Sequence, residues 1–95
     1  MNERHLLLVS SVFLKIFRRV FIMVSERLKI LRNERGYTQR NVADGIGIAE
    51  SSYQIYEYGK QLPGCEKLVA LADYFDVSID YLVGRTDNAQ SHRES

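Results

Sequence analysis

The sequence predicts an all-α fold of five helices, and three observations carry that prediction. After Met23 the apolar residues recur at three- and four-residue spacing, and β-branched alternation is rare. Glycines at 36, 47, 59 and 84 punctuate the chain at helix-sized intervals. The only proline, Pro63, stands between two helical segments. With 95 residues, 45% of them hydrophobic, the chain supports one small domain with a thin core.

Ser25 is read as the N-cap of a first helix over 26–35, with Leu28 and Leu31 facing inward and Gly36 just past its end. Thr38 caps a second helix in which Val42, Ala43 and Ile46 share a face, and Gly47 ends it. A third segment, "ESSYQIYEY", follows almost at once and stops at Gly59, with Tyr53 and Tyr56 on one side. After Pro63, "CEKLVALADYF" carries a stripe of Leu68, Leu71, Ala72 and Phe75. Ser78 caps a last short helix, "IDYLV", closed by Gly84. The division is therefore an N-terminal extension over 1–22, a domain over 23–85 and a polar tail over 86–95, expected to be disordered.

Composition narrows the chemistry. One cysteine, Cys65, forms no internal disulfide framework, which suits a reducing cytoplasm. His5 and His92 lie at opposite ends, so no cluster has metal-ligand spacing and no metal is expected. No phosphate-binding glycine loop, nucleophile with its base, or inward carboxylate pair stands out, so neither an enzyme nor a cofactor is expected. Residues 1–23 hold a net charge of +3 and the remainder −2. Whatever the domain binds, it does not bind through bulk positive charge.

The second and third segments have the attributes of a helix-turn-helix. Ala43 is small where two helices must cross closely, and Gly47 permits the positive φ of a tight turn. Apolar Val42, Ile46, Ile48, Tyr53 and Tyr56 lock the pair to the bundle. The polar N-terminal face of the third helix is left for base edges in a DNA major groove.

From Arg27 to Asp87 the chain resembles the phage-repressor and Cro-like family, also called the xenobiotic-response-element (XRE) family. The resemblance rests on "RLK-LR" at 27–32, "TQ" at 38–39, "VA" at 42–43, "IGI" at 46–48, "YEYGK" at 56–60 and "LADYFDVSIDYLVGRTD" at 71–87. It implies a five-helix lambda-repressor-like domain that binds double-stranded DNA. By that resemblance Glu50, Ser51, Gln54 and Ile55 face the bases, while Gln39, Arg40, Tyr58 and Lys60 touch phosphates. Gln54 suits adenine, Glu50 suits the cytosine amine and Ile55 a thymine methyl. Arg32 and Glu57 are implied to form a buried ion pair, and Ile79, Tyr81, Leu82 and Val83 a homodimer interface. The expected function is a sequence-specific transcriptional repressor that acts as a dimer on a palindromic operator. The alternative is an antitoxin or adaptor that uses the same fold to hold a protein, and an antirepressor or toxin is the corresponding partner.

The chain departs from the family pattern in places. Ala49 stands where a Ser or Thr usually caps the recognition helix, unless Ser51 or Ser52 caps a shifted start. Gly45 occupies a helix interior, and Ile55 a position that is usually polar or basic. No Lys or Arg lies between Arg40 and Lys60, which implies modest affinity per monomer and a shallow salt dependence. Plainer roles compete for several residues. Tyr53 and Tyr56 are core aromatics, and Tyr58 is divided between phosphate contact and exposed packing. Glu50 can be a helix-start acid, Cys65 a small half-buried hydrophobe, and Asp73, Asp76, Asp80 and Asp87 a solvated face turned from DNA.

The extension, "HLLLVSSVFLKIFRRVFIMV", is apolar but broken by Lys15, Arg18 and Arg19, which disfavours a membrane span. It also lacks the small-x-small cleavage site of a signal peptide. On a helix Ser11, Lys15 and Arg18 lie opposite Val9, Phe13, Ile16 and Val20, as suits a membrane surface or a partner. The favoured account is genetic: Arg18-Arg19 reads as a translated purine-rich ribosome-binding site, with translation starting at Met23.

Overall fold

The computed structural model describes residues 3–90. Five helices follow in order: α1 (Glu3–Glu34), α2 (Gln39–Ile46), α3 (Glu50–Glu57), α4 (Cys65–Phe75) and α5 (Ile79–Leu82). One antiparallel bridge joins Val77 to Gln90, and no longer strand occurs among the described residues.

The first helix departs most from expectation. Ser25 is not an N-cap: α1 runs unbroken for 32 residues, through Met23 and Ser25. Neither Gly nor Pro interrupts residues 3–34, so nothing in the chain stops the helix from propagating upstream. Ser25 is instead buried, and its hydroxyl donates to the backbone carbonyl of Glu57 at the end of α3. At the far end Gly36 turns the chain with φ of 67°.

The remaining caps fall where the sequence places them. Thr38 accepts from the Asn41 N–H, and the Asn41 side chain accepts from the Thr38 N–H, a reciprocal capping box. Gly47 closes α2 at φ 75°, a conformation any Cβ would strain. Ser78 accepts from Tyr81 N–H to start α5.

Val24, Leu28 and Leu31 of α1 pack with Val42, Ala43, Tyr53, Leu71, Phe75 and Leu82 to form the core. Gly45 has a packing reason that spacing did not suggest. The Tyr74 ring of α4 lies so close over it that a Cβ would sit 2.2 Å from Tyr74 Cε1.

The tail also differs from expectation. Residues 86–90 fold back rather than trail away: Arg27 donates to the Thr86 carbonyl (3.1 Å) and to Asp87 (2.9 Å), and Ser78 N–H donates to the Ala89 carbonyl. Residues 91–95 of the expected polar tail lie outside the described residues. Of the acidic face, Asp73, Asp76 and Asp87 are exposed, while Asp80 is half-buried and 3.9 Å from Arg85. Cys65, expected to be half-buried, is exposed at the first position of α4.

Candidate nucleic-acid interface

Helices α2 and α3 are joined by the three residues Gly47–Ala49, with the left-handed Gly47 providing the sharp change of direction. Val42 and Ala43 on α2 and Tyr53 and Glu57 on α3 are the residues that each helix buries. Ala49 precedes α3 in an extended conformation without a side-chain hydrogen bond to the helix start. Neither Ser51 nor Ser52 moves that start, because both lie within α3.

The orientation of α3 is held by a polar network centred on Glu57, which is 1% exposed. Arg32 of α1 donates from Nε to Glu57 Oε2 at 2.6 Å and from Nη2 to Oε1 at 3.0 Å. Its remaining Nη1 donates to the Tyr37 carbonyl at 3.0 Å, in the turn that leads into α2. Gln39, at the first position of α2, donates to Glu57 Oε1 at 3.3 Å and accepts from Gln54 Nε2 at 3.1 Å. Three helices therefore meet on one carboxylate.

The charges follow from this geometry. Burial works against the Glu57 carboxylate, but the hydrogen bonds and charge of Arg32 outweigh it and hold the pKa below the ordinary value. Arg32 is correspondingly raised by its hydrogen bond to Glu57. Burial, then the neighbouring Glu57, pushes the Tyr53 phenol up, so it stays neutral. The pair is ionised and mutually satisfied.

On the opposite side of α3, Glu50, Ser51 and Ile55 are exposed and Gln54 is half-buried, with Tyr58 exposed one turn further on. These residues form a continuous outer face at spacings of one, three and four. Arg40 is exposed beside Asp44 (3.9 Å), and Lys60 is exposed past Gly59.

A family model for helix-turn-helix proteins matches residues 28–82, which span the network and both helices. The chain belongs to the helix-turn-helix family. Its relatives confirm the phage-repressor, or XRE, type. It is 46% identical over 66 residues to the uncharacterized HTH-type transcriptional regulator YobD of Bacillus subtilis (strain 168), covering 70% of this chain and 59% of that protein. It is also 46% identical over 69 residues to the cryptic phage CTXphi transcriptional repressor RstR of Vibrio cholerae, covering 70% of this chain and 62% of that protein. The HTH-type transcriptional regulator AnsR of Bacillus subtilis is 41% identical over 66 residues, 70% of this chain and 57% of that protein. The chain thus spans about three fifths of the length of these curated relatives. No solved structure matches it.

In this helix-turn-helix protein the expected residues separate into groups. Glu50, Ser51, Gln54, Ile55 and Tyr58 share one α3 face, and Arg32 and Glu57 are paired as expected. The Gln39 side chain is turned to Gln54 and Glu57 rather than outward. The four residues expected at a dimer interface do not form one exposed patch. Leu82 is fully buried in its own core, Val83 is half-buried against that core, and Tyr81 is covered by the Arg27 guanidinium at 4.0 Å. Ile79 alone among them is exposed, at 39%. Sequence reasoning missed Ser25, which touches the same helix end as Arg32. The seven-residue separation of the two, two helical turns on one face, is the signal that could have found it. Among the described residues no helix is long and apolar enough to cross a membrane.

Proposed function

We propose that the chain is a sequence-specific DNA-binding repressor that acts as a dimer on a palindromic operator, with α3 in the major groove. The observation that carries this reading is the Arg32–Glu57–Gln39–Gln54 network, which ties a face-forming glutamine of α3 to the first residue of α2. A Gln54 amide held by Gln39 keeps its own carbonyl and one N–H for an adenine edge, in an orientation set before DNA arrives. Glu50, Ser51 and Ile55 complete the base-reading set. The Gln39 backbone N–H at the positive end of α2, with Arg40, Tyr58 and Lys60, serves phosphates. Similarity to a phage repressor supports repression over activation.

The test is selection of bound duplexes from a random pool at low salt. The expected outcome is an enriched inverted repeat whose preference at one position per half-site relaxes in Gln54→Ala. Lys60→Ala is expected to weaken all sequences alike and to lower the salt slope by about one per subunit. No enriched sequence would overturn the proposal.

A further inference from the structure

Residues 11–19 of α1 are exposed on every side, although the sequence there is predominantly apolar. One side of this arm, together with Gly59 of the body, forms a groove. Two parallel lines of side chains build its wall. Leu14, Phe17 and Phe21, at steps of three and four, make an apolar line, with Leu14 65% and Phe17 43% exposed. Phe17 stacks on Phe13 and Phe21, with centroids 5.5 and 5.3 Å away, which stiffens that line. Ser11, Lys15, Arg18 and Ile22, at steps of four, three and four, make a second line beside it. Lys15 and Arg18 form no ion pair among the described residues, and the sequence holds no acidic residue between Glu3 and Glu26.

We infer that this groove docks an acidic amphipathic helix of a partner protein, one that presents an apolar stripe to Leu14, Phe17 and Phe21 and carboxylates to Lys15 and Arg18. Charge complementarity selects the acid. Residues 1–23 carry +3 and the remainder −2, so an acidic segment is repelled by the body and drawn to the arm. The spacing selects a helix. Both lines recur once per turn, the pattern that an amphipathic helix meets when it lies along another. Residues 11–22 run for about 18 Å at about 1.5 Å per residue, which accommodates roughly three turns of a partner. Carboxylates that pair with Lys15 and Arg18 at the edge of a covered apolar stripe are screened less than on an open surface.

Other occupants satisfy only part of the groove. A DNA backbone supplies charge for Lys15 and Arg18 but leaves the apolar line against phosphate. An anionic bilayer needs its cations at the margin of a continuous apolar face. Here Arg18 stands between Leu14 and Ile22, four residues from each, and Gly59 closes the inner end where a flat surface would have to continue. The arm of a second copy brings no carboxylate between Glu3 and Glu26 and meets Lys15 and Arg18 with like charge. A protein helix with both an apolar stripe and acidic edges answers both lines. This contact is independent of what α3 reads.

The experiment is fluorescence anisotropy of a labelled, side-chain-stapled peptide helix of roughly three turns, titrated with the 95-residue chain at low salt. The peptide carries Leu at three- and four-residue spacing with Glu on both edges of the stripe, so that either orientation is served. The expected result is saturable binding with Kd on the order of 10 μM, weakened by added salt. Phe17→Asp and Lys15→Glu/Arg18→Glu are each expected to weaken it by about tenfold or more. A peptide with Lys in place of Glu is expected to recover binding to the doubly reversed chain. All three positions lie outside the buried core, so the melting of the body is expected to persist. Absence of binding, equal binding of a scrambled peptide of the same composition, or binding unchanged in both variants overturns the inference. So does duplex DNA, a phosphatidylglycerol vesicle or a second copy that is bound by the wild-type chain and not by Phe17→Asp. A chain that enriches a DNA sequence but binds no peptide defeats the groove inference alone, whereas one that binds the peptide and enriches none defeats the DNA reading alone.

Discussion

Arg32 grips Glu57 with two parallel hydrogen bonds, at 2.6 and 3.0 Å, and thereby joins α1 to the last residue of α3. The Glu57 side chain is 2% exposed and that of Arg32 18%, so removing either partner strands a charge largely out of water. Arg32→Ala and Glu57→Ala are each expected to cost roughly 3–5 kcal/mol in urea unfolding. Arg32→Met/Glu57→Leu is expected to cost less than either single change, because neither charge is left behind. A double variant as unstable as the sum of the singles contradicts this account.

The same pair sets a pH dependence. The folded pKa of Glu57 is lower than its ordinary 4.5, so the folded state binds that proton less readily than the unfolded chain. The stabilisation is therefore complete above pH 4.5 and is lost as pH falls through the lowered folded value. Urea midpoints taken from neutral pH into the acid range are expected to fall below that point. In Glu57→Gln the midpoint starts lower at neutral pH, and its acid decline is shallower.

Gly45 tests the packing of α2 on α4. By helix propensity alone, Gly45→Ala stabilises by about 1 kcal/mol. With Tyr74 Cε1 at 2.2 Å from the new Cβ, the ring must move, and a net loss of about 1–3 kcal/mol is expected. In a Tyr74→Ala background the clash is absent and Gly45→Ala is expected to stabilise. Thermal melting of the four-member cycle reads the change of sign.

Ala49 precedes α3 at φ −67° and ψ 148°, extended geometry in which a Ser hydroxyl can reach the first-turn N–H groups. Ala49→Ser is expected to raise stability by about 1 kcal/mol, and Ala49→Gly to raise it by a few tenths of a kcal/mol less than Ser does. Unfolding midpoints check the order.

Helices α2, α3 and α5 were legible because each has a local signal at its start or end, such as Thr38, Gly47, Gly59, Ser78 and Gly84, and α4 because its apolar stripe follows Pro63. The start of α1 was not, because a serine preceding an amphipathic run suits an N-cap and a buried mid-helix hydrogen bond equally well. Only the partner, the Glu57 carbonyl 32 positions away, distinguishes them. The Arg32–Glu57 pair could be inferred from family resemblance, whereas the inward turn of Gln39 depends on side chains 15 and 18 positions distant. The fold-back of residues 86–90 was hidden for a related reason: polar residues read as solvated until Arg27 is placed beside them.

The unbroken course of α1 makes it a lever. Its 32 residues form a rod about 48 Å long, exposed on every side over residues 11–19 toward its free end. Toward the other end, Ser25 and Arg32 both hold Glu57, one by its carbonyl and one by its carboxylate. Whatever fixes the direction of the free end therefore aims the recognition helix as well.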